Sequence, residues 1–294
     1  MRTWRSTLEE FKPILILVYL SFLGCFGVFA VQMYLGLGFQ PLICLCSMGI
    51  IFGIYTSNRF TDAAEDFTND IQRALFFQRR RIWYALAIAA LAGSLLILLA
   101  KGKLNAIHFL LLGMGYCYSY RAIPWYAPGR GLVLFRIKEM TLVKNLAVSF
   151  LWGGSVFLVP ILYASAEIRA PFLLAMLGAG LFLSTLNNTL FDDVLDADGD
   201  RAAGIKTLPA VWGSRNSIAL LFVLDAVWIA GCAACLAAGR LDPAHAAFLI
   251  FLGLYPAAYI GLSRFGRAPK PWIDFLMESD LLCFAGGLLL LSLR

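Results

Sequence analysis

The chain has 294 residues, of which 61% are hydrophobic and only 14% charged, with a mean hydropathy of +0.78. Soluble domains run at about 45–50% apolar and about 25% charged, so that class is excluded; a spanning helix takes roughly 20 apolar residues, which leaves room for about eight to ten spans. The net charge of +6 comes from basic residues in short loops between apolar runs, the distribution that headgroups and topology demand, and so excludes nucleic acid as the partner it would otherwise suggest.

In chain order, the stretch up to Pro13 is net positive. The apolar run behind it is too long for a signal-peptide core and is followed by no small-residue cleavage site, so it reads as an uncleaved first span. Nine apolar segments follow one another, near 13–36, 40–56, 82–100, 104–120, 143–163, 171–191, 216–238, 244–262 and 276–293. Connections at Gly36–Gly38, Lys101–Lys103 and Arg240–Pro243 are short enough for tight helical hairpins. The expectation is an all-α polytopic membrane protein of nine transmembrane helices, with residues 1–294 forming a single membrane-embedded domain.

Lys and Arg then set the orientation. Of the 24, only Lys101, Lys103, Arg169, Arg240 and Arg294 fall on one side; all others lie at the N-terminus or in the loops after spans two, four, six and eight. The positive-inside rule puts those loops and the N-terminus in the cytoplasm. The seven cysteines all lie in apolar runs, and even Cys232 and Cys235, spaced CxxC, read as buried small hydrophobes. His108 and His245, the only histidines, are far in sequence from the acidic residues.

Half of the 18 acids sit in two stretches. The first, after span two, holds Asn58, Asp62, Glu65, Asp66 and Asp70; the second, after span six, holds Asn188, Asp192, Asp193, Asp196, Asp198 and Asp200. Both repeat an Asn-xxx-Asp-xxx-Asp-xxx-Asp skeleton on the same side of the membrane. Residues four apart share a helix face, so Asp62 converges with Asp66 and Asp196 with Asp200. Like charges this close repel unless something neutralises them. Mg²⁺ does so with oxygen ligands, held by one or two carboxylates plus substrate phosphates. Two carboxylate pairs imply two metal sites facing a shared anionic ligand, with Arg121, Lys138, Lys144, Arg201 and Lys206 close by in sequence.

With these residues in view, the chain resembles the UbiA superfamily of intramembrane prenyltransferases. Asn58-Arg59-Phe-Thr-Asp62-Ala-Ala-Glu65-Asp66 is similar to the family's NDxxDxxxD motif. Asp193-Val-Leu-Asp196-Ala-Asp-Gly-Asp200-Arg-Ala-Ala-Gly204-Ile-Lys-Thr207-Leu208-Pro209 matches its DxxDxxxDxxxGxxTLP motif in full. Lys12-Pro13 and Lys144-Asn145 are also similar to family positions. Arg59 stands where the family has Asp, the family's Tyr-xxx-Lys element is displaced by one among Tyr116, Tyr118, Tyr120 and Arg121, and no Arg-Pro pair follows the first motif.

The resemblance implies helices around a central cavity and prenyl transfer from an isoprenoid diphosphate to an aromatic or other lipophilic acceptor. It implies Asp62 and Asp66, with Asn58, around one Mg²⁺, and Asp193, Asp196 and Asp200 around the other. Arg121, Lys138, Lys144 and Arg201 are then the cations expected on the diphosphate, and the site faces the cytoplasm from a cell or inner membrane. Two other readings were weighed. A cation-coupled transporter has only Asp225 well inside a span to support it; an inactive lipid-binding relative is favoured by Arg59 and opposed by the intact second motif.

Overall fold

A computed structural model describes residues 4–62, 71–127, 129, 131–163, 170–202, 204–266 and 269–293. Apolar composition dictates helix here, because lipid offers no partner for backbone N–H and C=O groups and only a helix satisfies them within one segment. The long helices are α1 (Trp4–Tyr34), α2 (Pro41–Thr61), α4 (Ile82–Ala100), α6 (Val143–Tyr163), α7 (Pro171–Leu195), α10 (Ser214–Ala237) and α11 (Pro243–Arg264). All seven are long and apolar enough to cross a membrane. An eighth candidate span is bent: α12 (Lys270–Glu278) and α13 (Asp280–Ser292) meet at Ser279 at 45°.

The segment expected as span four is α5 (Ala106–Ser119), with 14 residues. At about 1.5 Å per residue it covers roughly 21 Å, short of a hydrocarbon core of about 30 Å. Its start is fixed by a capping box, in which the Asn105 and His108 side chains serve each other's backbone N–H groups.

Short elements lie at the ends of the spans. Helix α3 (Ile71–Arg79) follows the first acidic stretch, and α8 (Ala197–Ala202) and α9 (Leu208–Trp212) follow the second. A two-stranded antiparallel hairpin, β1 (Ile123–Ala127) and β2 (Gly131–Phe135), and a 3₁₀ turn at Ile137–Glu139 link α5 to α6.

Helix α1 is central. Half of its apolar window is buried within the protein, against 17% for α4 and for α10, which turn most of their surface to lipid. Val31, Phe157, Leu181, Leu249 and Phe284 form the main core between α1, α6, α7, α11 and α13. A second core joins Leu190, Leu208, Leu221, Tyr259 and Met277. Helices α2 and α4 approach closely because Gly53 has no side chain: a Cβ there would lie 2.7 Å from Leu91 Cβ and 2.9 Å from the Ala87 carbonyl. Within α6, residues Gly154–Leu158 form a π-helical turn.

Candidate active site

A cavity of about 370 Å³ opens among α1, α2, α5, α6, α7 and the α12–α13 bend. His108 and Tyr118 both line it; ten residues apart on α5, they set a length of about 15 Å. One part of the wall is apolar, with Leu20, Leu23, Ile51, Leu111, Leu151 and Leu181. The other part collects Asn58, Arg59, Asp62, Lys144, Asn145, Asn188, Asp192, Asp193 and Glu278. Trp152 donates to the Tyr55 hydroxyl at 2.6 Å, and both rings lie on the wall.

The first motif enters at the end of α2. Asp62 is the C-cap, its N–H bonded to the Asn58 carbonyl at 2.9 Å. Its carboxylate accepts from Lys138, and Arg136 Nη1 lies 3.7 Å from the same oxygen. Ser119, at the end of α5, donates to Asn58 Oδ1. Both cations facing Asp62 therefore come from the segment after the hairpin. That segment is itself fastened at Glu139, which accepts from Arg121 at 2.9 Å and from Arg136 at 3.0 Å. Partial burial pushes the Glu139 carboxyl up, and the two guanidiniums outweigh that and hold it below its ordinary value. Asp66, the other carboxylate expected here, lies outside the described residues, as do Glu65 and Asp70.

The second motif is carried on helix. Asp193, in the last turn of α7, pairs with Lys144 at 2.6 Å and accepts from Asn145 at 3.0 Å, both from the first turn of α6. Helical hydrogen bonding continues past α7, from Asp196 to Asp192 at 3.1 Å and from Asp200 to Asp196 at 2.9 Å. Asp192 and Asp193 reach the cavity wall. Asp196 lies outside that wall, acting electrostatically on Asp192, and the buried Asp200 acts on Asp193.

The remainder of this motif is structural. Gly204 takes φ +71° to end α8, a conformation that Gly adopts without steric cost. Thr207 then caps α9, with its side chain accepting from Ala210 at 3.4 Å and proline inside the first turn.

Two of the expected cations do not reach the cavity. Arg121 is exposed and bonded to Glu139. Arg201 bonds Asp198 at 2.6 Å and the Pro209 carbonyl at 3.2 Å, tying α8 to α9. Residues that sequence reasoning did not assign take part instead: Arg136 beside Asp62, and Asn145, Asn188, Asp192 and Glu278 on the wall. Arg59 also lines the wall and acts electrostatically on Asp192 and Glu278. The Asn188 skeleton position signalled one of these; nothing in the local sequence signalled Glu278.

The donors at the polar end suit Mg²⁺ in kind, since Asn58, Asp62, Asp192 and Asp193 all offer oxygen. Among the described residues no group of three or more His, Cys, Asp or Glu could hold a metal alone. That agrees with a cation held by one or two carboxylates together with a phosphate ligand.

A helical membrane protein with a tubular cavity, apolar along its length and ionic at one end, is built to hold a long apolar chain by an anionic head. The chain belongs to the UbiA prenyltransferase family, whose profile matches residues 19–278, and it is an integral multi-pass prenyltransferase.

Among known structures it resembles a UbiA homolog from Aeropyrum pernix (TM-score 0.65, 16% identity, covering 93% of this chain and 98% of that one). It is equally similar to a UbiA homolog from Archaeoglobus fulgidus bound to GPP and Mg²⁺ (TM-score 0.65, 17% identity, covering 97% and 99%). Two curated relatives are digeranylgeranylglyceryl phosphate synthases. That of Methanothermobacter thermautotrophicus is 35% identical over 134 residues, 45% of this chain and 43% of the relative. That of Natronomonas pharaonis is 30% identical over 174 residues, 58% of this chain and 55% of the relative. The chain thus spans about half the length of these relatives.

Proposed function

We propose that this enzyme transfers a prenyl group, with Mg²⁺, from an isoprenoid diphosphate to the hydroxyl of a lipophilic acceptor of the prenylated glyceryl phosphate kind. The observation that carries the reading is the facing of two carboxylate–cation groups, Asp62 with Lys138 and Asp193 with Lys144, across one otherwise apolar cavity. The names of the curated relatives support the acceptor class, and the A. fulgidus homolog bound to GPP and Mg²⁺ supports donor and metal. The Lys and Arg distribution supports nine spans with the N-terminus and the ionic end in the cytoplasm, and residues 1–294 acting as one domain.

In this reading Asn58, Asp62, Asp192 and Asp193 hold Mg²⁺, joined by Asp66, Asp196 and Asp200 of the two motifs. Mg²⁺ neutralises the diphosphate and stabilises it as a leaving group. Lys138, Lys144 and Arg136 turn from their carboxylates toward the diphosphate oxygens and add fixed positive charge where the leaving group develops it. The apolar wall takes the isoprenoid chain, holds its C1 near the acceptor and keeps water from the allylic cation.

A second reading, an aromatic acceptor, is favoured by Tyr55, Tyr118 and Trp152 on the wall. One experiment tests both. Purified protein in detergent is given geranylgeranyl diphosphate, with Mg²⁺ or with EDTA, and either geranylgeranylglyceryl phosphate or a panel of phenolic and naphthoic acids. The expected result is Mg²⁺-dependent ether formation with the glyceryl phosphate; product with the aromatic acids alone would replace the first reading with the second. Product that survives EDTA would remove the metal from the mechanism.

A further inference from the structure

The last candidate span is broken, and the break carries chemistry. Irregular backbone at membrane depth is tolerated where it is buried in protein or lines a cavity. Here the 45° bend at Ser279 sets Glu278 and Asp280 on the cavity wall. Other wall carboxylates have cations: Asp62 has Lys138, Asp193 has Lys144, and Arg59 acts on Asp192 and Glu278.

Asp280 differs. The groups acting on it are Ser184 on α7, Asp225 on α10, Tyr259 on α11 and Glu278 on α12, none of them a cation. It is 6% exposed; one carboxylate oxygen accepts from the Tyr259 hydroxyl at 3.4 Å and the other, Oδ1, has no hydrogen-bond partner. Behind it Asn187 donates to Asp225 at 2.6 Å, leaving Asp225 Oδ2 and Asn187 Oδ1 also without partners. Buried carboxylate oxygens without donors are costly as anions. Such a group is suited to taking up a proton.

We propose that Asp280 is the base that receives the proton of the acceptor hydroxyl. The assignment rests on the reading above that the nucleophile is an alcohol oxygen. The donor C1–O bond breaks with its electron pair leaving on the diphosphate, and the acceptor oxygen bonds to C1. The hydroxyl proton passes to Asp280 Oδ1 and returns to water when the product leaves, so no further reactant is needed. Ser184, on the same wall and bonded to Asp280, orients the carboxylate. The buried Asp225 and Asn187 behind it keep the neighbourhood receptive to a proton.

The test starts with wild-type protein and geranylgeranylglyceryl phosphate; failure to transfer to any alcohol, with transfer to aromatic carbon, overturns the acceptor reading and this assignment together. Where wild type transfers, Asp280→Asn is expected to lower transfer by about 100-fold, the scale of general-base catalysis. The donor KM stays within about twofold and diphosphate release continues, with free prenyl alcohol as the product because water captures the cation. Asp280→Glu, which keeps the carboxylate, is expected to hold transfer above about a tenth of wild type. Asp280→Leu removes the buried charge entirely and serves if the Asn variant does not fold, with the same partition expected. Transfer by the Asn or Leu variant within about threefold of wild type would overturn the assignment, as would an equal loss of transfer and donor binding in the Asn and Glu variants.

Discussion

The two acidic motifs share a spacing and differ in what holds them. Asp193 belongs to a continuous helix and meets Lys144 and Asn145 from the first turn of the neighbouring span. Asp62 caps a helix end and meets Lys138 and Arg136 from a loop that is secured through Glu139. Helix-borne groups are positioned by packing along the whole element, whereas loop-borne groups depend on a few local contacts. The second motif is thus the rigid half of the site, and the first is the half whose charges can be rearranged around an arriving diphosphate.

The largest expected effect removes either anchor. Asp62→Ala and Asp193→Ala are each expected to lower kcat/KM by about 10³-fold, measured as diphosphate release with saturating Mg²⁺. A loss confined to one of them would leave a single working half. Next, the lysines separate rigidity from charge. Lys144→Ala leaves Asp193 buried without its cation and is expected to lower thermal stability in detergent by about 3 kcal/mol as well as activity. Lys138→Ala is expected to raise the donor KM by about tenfold, with a smaller stability loss because Arg136 stays beside Asp62. Equal melting shifts for the two variants would erase the proposed contrast.

Away from the site, Gly53→Val forces a side chain between α2 and α4 and is expected to cost about 1–3 kcal/mol, read from the melting temperature. The smallest effect belongs to Arg121→Ala. Its exposed pair with Glu139 contributes at most about 1 kcal/mol, so activity is expected to stay within about threefold of wild type.

Much of this was legible along the chain. Apolar runs placed 82–100 and 143–163 at the bounds the helices take, because hydrophobic length at this scale is nearly a direct readout of membrane thickness. The pairing of Lys138 and Lys144 with motif carboxylates was foreshadowed by charge alone. Arg121 and Arg201 were assigned to the diphosphate because they are near the motifs in sequence; nothing in that proximity tells whether a guanidinium turns inward or fastens a loop. Glu278 and Asp280 escaped notice because a helix break has no fixed signature here: Ser279 is neither Gly nor Pro. The second motif's Gly204 and Thr207-Leu208-Pro209 proved to be helix punctuation, which a functional motif search reads as chemistry.

The π turn at Gly154–Leu158 inserts a residue relative to the α-helical repeat in the wall that carries Trp152, Ser155 and Val159. Chain length at that point is therefore a rotational setting. Deleting one residue would restore the ordinary repeat and swing everything beyond it by about 100° about the helix axis, the angle between successive residues. Val159 would leave the wall while Trp152 stayed. The bore of the tube can thus change by insertion or deletion alone, with its ionic end untouched, giving evolution a route to a different substrate length that no survey of point substitutions would find.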